Sequence, residues 1–269
     1  MKFTIRLSYN GNSFCGWQLQ KNGTSIQGEL QKALSMLLKC DIPVTGAGRT
    51  DAGVNAVNYV AHFDVPETAE ARPEFLKYKL NAILPKGIAV HEIIPVAEAF
   101  HARFSAVSRE YHYFIHKKKD PFMENFSHLC IYPLDLDKMN GAASLLLGEH
   151  DFRCFEKTGG NNATSICTVY EASWSPYSPV HVSMMGYQTG PEDYIVFRIR
   201  ANRFLRNMVR AIVGSLIDVG RGKRDIEWFR RLIETGTRSD AGESVPGKAL
   251  FLSEVAYPDK ISENSESKI

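Results

Sequence analysis

The spacing of apolar residues changes repeatedly along this chain, and each change marks an element. Phe3, Ile5 and Leu7 alternate with polar neighbours, the two-residue period of a half-buried strand. The run Thr24-Ser25-Ile26-Gln27 fits a capping box, and Leu30, Ala33, Leu34, Leu37 and Leu38 follow at helical spacing until Pro43 closes the element. The pattern then predicts a strand over 57–65, a helix over 74–84 stopped before Pro85, and a strand over 88–94. The segment FHARFSAVS leads into a strand over 109–116 that sets Tyr111, Tyr113 and Ile115 on one side.

The second half repeats the mixture. Helices are expected over 136–147, closed by Gly148, over 202–219 and over 225–235, with strands over 166–174, 194–200 and 250–256. The tail PDKISENSESKI is polar and reads as frayed. This predicts an α+β chain: two related α/β modules sharing an extended, mostly antiparallel sheet flanked by helices, with the active-site cleft between them. Symmetry puts the boundary near 105, giving modules over 1–105 and 106–269.

Composition narrows the setting. The chain has 269 residues, an apolar fraction of 44% and a net charge of only +2, so any nucleic-acid binding has to come from local basic patches. The opening MKFTIRLSYN lacks the apolar core of a signal peptide, and no run reaches the ~18 apolar residues of a membrane span. Cys15, Cys40, Cys130, Cys154 and Cys167 are scattered without a C-x-x-C pair, which reads as free buried thiols in a reducing cytoplasm and not as a zinc site.

Candidate chemistry centres on GAGRTDAGVN, Gly46 to Asn55. Gly48 and Gly53 have the glycine spacing of a phosphate-binding P-loop, but Val54 and Asn55 stand where lysine and a hydroxyl belong. A dinucleotide fingerprint would need glycine where Asp51 sits, and a carboxylate there repels phosphate. The glycines instead allow a tight turn to aim Arg49 and Asp51, the arginine favouring an ionised carboxylate that can act as nucleophile or base. An ordinary Asp-Gly turn beside a surface arginine is the plain alternative.

Two further features follow. On a helix over 202–219, Arg203, Arg206, Asn207, Arg210 and Gly214 share one face with no acidic partner, a stripe suited to a polyanion. In SREYHYFIH, a tyrosine on a strand beside basic residues can stack on a flipped-out base, although core tyrosines explain the pattern as well. His112 and His116 have poor metal spacing, and Lys117-Lys118-Lys119 reads as a solvated turn that could also touch phosphates.

Taken together, GAGRTDAGV, FHARFSAVSREYHYFI and ANRFLRNMVRAIVGSLIDVGRG resemble the signature blocks of the tRNA pseudouridine synthase A family. LSYNGNSFCGWQLQ, LLLGEHDFRCF and VPGKALFL match its pattern in the same order, so the resemblance runs from about residue 3 to residue 257. It implies isomerisation of uridine to pseudouridine in the anticodon stem–loop of tRNA, at positions 38, 39 and 40, by a cytoplasmic homodimer. Asp51 would be catalytic, and Arg49 would anchor the site by pairing with the carboxylate or a phosphate. Tyr111 would stack on the target base, and Leu250 would close over the pocket. Arg210 would pair with Asp51, an interaction of about 4 kcal/mol at 4 Å and an effective dielectric near 20 before desolvation. Arg203 and Arg206 would hold the tRNA backbone.

The implied reaction uses no cofactor and no metal, because the detached uracil is itself the incoming nucleophile. Asp51 could attack C6 of the base, attack C1′ of the ribose, or remove the 2′ proton. The chain departs from the family pattern at Asn55 (usually histidine), at Asn58 and Tyr59 (usually glycine and glutamine) and at Ala249 (usually glycine). These positions bear on how the loop around Asp51 is supported. A non-catalytic RNA binder, a carboxylate-nucleophile hydrolase and a pseudouridine synthase with other target uridines are the competing readings.

Overall fold

The computed structural model describes residues 1–159 and 163–258, so all but the first residue of the polar tail lies outside the described residues. Strands β1 (Lys2–Tyr9), β2 (Val44–Gly46), β3 (Asn55–Asp64) and β4 (Ile88–Val96) alternate with helices α1 (Ile26–Leu38) and α2 (Pro73–Ile83). There follow β5 (Ser108–His116), β6 (His128–Leu129), α3 (Leu136–Ser144), β7 (Gly148–Asp151), β8 (Ile166–Pro176) and α4 (Val180–Met184). The chain then forms β9 (Tyr194–Ala201), α5 (Met208–Gly220), α6 (Ile226–Thr235) and β10 (Leu250–Ala256). The fold is α+β, as the pattern predicts, and its described residues divide into two compact units, Met1–Ser108 with 252–258, and Arg109–Phe251.

In the first unit the strand order is β4–β1–β3–β10, with the short β2 also on β3. β1 runs antiparallel to both β3 and β4, pairing Ile5 with Ala61 and with Ile93. Ile5, Leu7, Ile26, Leu30, Leu34 and Tyr59 are fully buried, each aliphatic side chain contributing about 1.5–3 kcal/mol through burial. The capping residue of α1 is Ser25, whose Oγ accepts from Gly28 N at 3.2 Å, one position after the expected Thr24. Gln27 does not reach back to the cap. Its amide bonds Leu19 N and Val44 O instead, tying the helix to β2. The helix ends at Lys39 in a left-handed conformation (φ 57°), four residues ahead of Pro43.

In the second unit the order is β5–β9–β8–β7, all antiparallel, with the two-residue β6 parallel to β5. Helices α3, α5 and α6 pack together, burying Met139, Phe155, Ile212, Leu216 and Phe229. Two expectations fail here. Gly148 does not close a helix over 136–147: α3 stops at Ser144, and Gly148, at φ 94°, opens β7. The helix expected over 202–219 begins only at Met208, because Asn207 adopts φ 66° and breaks the helical path before it.

All five cysteines are free thiols, but only Cys130, Cys154 and Cys167 are buried; Cys15 is exposed and Cys40 half-buried. No helix among the described residues is long and apolar enough to cross a membrane.

Candidate functional site

The loop from Gly46 to Val54 leaves β2 and returns as β3; its entry is held by Gly46 opposite Ala61, and its exit by Ala56 opposite Tyr9 of β1. Beneath it lies an aromatic floor. The Tyr59 ring is stacked on Trp17, centroids 4.1 Å apart, and Tyr9 meets Tyr59 at 5.5 Å. Gly46 rests directly on this floor, where a Cβ would collide with the Tyr59 hydroxyl and the Trp17 ring. The Tyr59 hydroxyl donates to Gly48 O and accepts from Gly48 N.

Thr50 is held next. Its Oγ1 shares a 2.9 Å hydrogen bond with the Tyr9 hydroxyl, and its carbonyl accepts from Trp17 N at 3.1 Å. Gly16, at φ 97°, lets the chain approach that carbonyl where any side chain would clash. Beyond Thr50 the loop closes with Val54 N donating to Asp51 O at 3.1 Å, Gly53 taking φ 78°. The buried Asn55 accepts from Gly11 N through Oδ1 at 2.8 Å.

The backbone on both sides of Arg49 and Asp51 is therefore fixed. Asp51 is half-buried, while Arg49 is exposed and donates from Nε to Gln18 Oε1 at 3.1 Å. Three of the departures from the family pattern prove to be structural. Asn55 ties the loop's exit to Gly11, Tyr59 holds Gly48, and Asn58 Nδ2 donates to Ser253 O at 3.0 Å. Ala249, the fourth, is fully buried in a short 3-10 turn ahead of β10.

The remaining predicted residues lie in or at the edge of the second unit. Tyr111 sits opposite Ile199 of β9, half-buried, its ring edge-on to Phe204 at 5.1 Å. Tyr113, two residues on, is a core residue: it is buried, donates to Pro246 O at 3.2 Å, and burial raises its phenol above the ordinary range. Arg210 occupies the first turn of α5 and donates from Nε to Val245 O at 2.7 Å, while Val245 N returns a bond to Arg210 O. Leu250, at the start of β10, is buried.

The arginine stripe is corrected. Arg203 and Arg206 lie before α5, not on it, so no helical face joins them to Arg210. Arg203 donates to Thr164 O at 3.2 Å, and the exposed Arg206 to Thr158 O at 3.4 Å. Gly214 lies beneath the backbone of Glu243, so it serves close packing of α5 and not a polyanion-binding face. Lys117 and Lys118 pair with Glu192 and Asp193, as a solvated turn would.

Trp17, Tyr9, Gly11 and Gly16 were not identified as site residues from spacing, since they belong to the end of β1 and the turn after it. The block LSYNGNSFCGWQLQ, which contains all four, was their signal.

Comparison with known proteins decides what this arrangement belongs to. The chain is 45% identical over 260 residues to the tRNA pseudouridine synthase A of Parabacteroides distasonis, covering 97% of each. The chain belongs to the tRNA pseudouridine synthase A family. It is 44% identical to the Porphyromonas gingivalis protein of that name, over 97% of this chain and 98% of that one. With the Bacillus subtilis protein the figure is 38%, over 96% and 99%. Residues 142–258 match the family described as tRNA pseudouridine synthase. Among solved structures, the crystal structure of the archaeal box H/ACA sRNP Nop10-Cbf5 complex aligns with a TM-score of 0.37 at 11% identity, over 92% of this chain and 58% of that chain.

Proposed function

We propose that this chain, an isomerase by its family, converts uridine to pseudouridine in the anticodon stem–loop of tRNA, at positions 38, 39 and 40, with Asp51 as the catalytic group. The observation that carries this reading is the clamped loop. Tyr59 holds Gly48, and Tyr9 and Trp17 hold Thr50, so Arg49 and Asp51 project from a backbone fixed on both sides. A binding protein gains nothing from a rigidly aimed carboxylate in an RNA groove, whereas a catalyst gains orientation.

The reaction balances within the substrate. The N1–C1′ bond breaks, the uracil turns, C5 bonds C1′, and the C5 proton leaves to solvent while N1 takes one up. A carboxylate attacking C6 or C1′, or removing the 2′ proton, has to be ionised and within reach of a nucleotide taken out of the stack. Extruding that nucleotide costs a few kcal/mol. Tyr111 is assigned the stacking face for the extruded base, and Leu250 an apolar wall. Arg210 is assigned the counter-charge for Asp51, and the exposed Arg49 a phosphate. Arg203 and Arg206 contact the RNA backbone from the segment ahead of α5. The proposed division of labour gives the N-terminal module the aspartate loop and the C-terminal module the tyrosine and the cations, in a cytoplasmic homodimer.

The test is tritium release from tRNA labelled at uridine C5, with Asp51→Ala and Asp51→Asn in parallel. Wild-type protein releases label, and both variants lose release by on the order of a thousandfold or more while still binding tRNA. Tight tRNA binding by the wild type with no release would leave only a binding protein. Release from uridines other than 38, 39 and 40 alone would move the target site.

A further inference from the structure

A row of rings runs in the first unit from β3 to the turn after β4, and neither the Asp51 loop nor the Tyr111 strand uses it. His62 of β3 is buried, and its ring lies 4.8 Å from that of His101. The His101 ring in turn lies 4.4 Å from Phe104, tilted by 32°, and the Arg103 guanidinium is 5.5 Å from the Phe104 centroid. Phe104 ends the series with 76% of its surface exposed.

The turn is built to hold this ring. His62 Nδ1 accepts from Ala102 N at 3.1 Å, and the Tyr257 hydroxyl donates to Ala102 O at 2.6 Å. His101 Nδ1 accepts from both Arg103 N and Phe104 N, at 3.2 and 3.3 Å. Ser105 closes the turn, its Oγ accepting from His101 N at 3.0 Å. Both imidazoles accept at Nδ1 and are therefore neutral there, and burial lowers the affinity of each for a proton.

An exposed phenylalanine is common enough. Here, however, the ring is supported by a second ring on an ordered turn, so covering it costs little further side-chain entropy. Arg103 and His101 flank it, and Val107, also exposed, follows three residues on. A single ring is far smaller than the roughly 800 Å² per partner that a protein interface buries. It is the size of one nucleobase, and a cation beside it suits the attached phosphate.

We propose that Phe104, carried on His101 and flanked by Arg103, is a stacking subsite for an unpaired base of the RNA substrate, distinct from the place assigned to Tyr111. The proposal rests on the RNA-substrate reading above. The test measures tRNA affinity, melting temperature, oligomeric state and C5-label release for wild type, Phe104→Ala and Phe104→Trp. Phe104→Ala weakens tRNA binding about tenfold, leaving the melting temperature and the release rate at saturating tRNA unchanged. Phe104→Trp restores affinity, and tRNA quenches its emission beyond the wild-type change.

Equal affinity for wild type and Phe104→Ala, with no added quenching in Phe104→Trp, overturns the subsite. Weaker binding that accompanies loss of an oligomer reassigns the ring to a protein contact and also overturns it. If wild type releases no label but the affinity and quenching results hold, the isomerase reading fails and the RNA subsite stands.

Discussion

Tyr59 occupies a position where the family usually has glutamine, and its contacts explain the exchange. A glutamine amide can both donate and accept, and so can the phenolic hydroxyl, which donates to Gly48 O and accepts from Gly48 N. The ring adds stacking on Trp17 that an amide would not provide. Tyr59→Phe keeps the ring and removes the hydroxyl, so both polar atoms of Gly48 lose this partner. The expected cost is about 1–3 kcal/mol of unfolding free energy, read as a lowered urea midpoint. Because Gly48 adjoins Arg49, label release falls further than tRNA affinity does. An unchanged midpoint would mean that water replaces the hydroxyl without loss.

At the scale of elements, α5 carries the clearest lesson. A Cβ on Gly214 would fall inside the carbonyl oxygen of Glu243, and Gly242 N reaches Ser215 Oγ at 2.9 Å beside it. Backbone meets backbone there, with no flexible side chain to give way. Gly214→Ala is therefore expected to destabilise the protein by more than the ~1 kcal/mol that glycine to alanine normally adds to a helix. A thermal melt at or above the wild-type midpoint would contradict this. The close approach also orders the segment through Val245, whose backbone is bonded to Arg210.

The same helix marks where sequence reading ends. Strand β10 coincides with its expected span, and α6 differs by one residue, because each has a clean period and a clear boundary residue. The start of α5 was misplaced by six residues because Leu205 is buried in a turn whose spacing continues the register of Met208, Val209 and Ile212. Apolar periodicity therefore runs unbroken through Asn207, and only its backbone angle reveals the break. The short β2, β6, β7 and α4 have too few residues to show any period. At the candidate site, Asp51 and Arg49 stood out because glycines bracket them, whereas Tyr9 and Trp17 reach Thr50 from more than thirty residues away. No local spacing encodes such a contact.

Over the whole molecule, buried neutral histidines set an acid limit. Burial, with His101 and Lys2 nearby, brings His62 down to about 4, and burial likewise lowers His116 and His128. These groups bind protons more weakly folded than unfolded, where histidine titrates near 6.5. Their contribution is fully present above that value and is lost as pH falls from about 6.5 towards 4, up to about 3 kcal/mol for His62 alone. Urea midpoints at pH 7 and pH 5 check this, and equal midpoints would refute it. The buried thiols act in the opposite sense, Cys154 pushed up to about 12 and Cys167 to about 11, so they stay protonated throughout. The aromatic floor has an optical side as well. Of the chain's three tryptophans, Trp17 is the one in the first unit, and it is stacked on the tyrosine that seats Gly48. The near-ultraviolet dichroism of that coupled pair is an intrinsic gauge of whether the loop is seated, readable in unlabelled protein before any substrate is added.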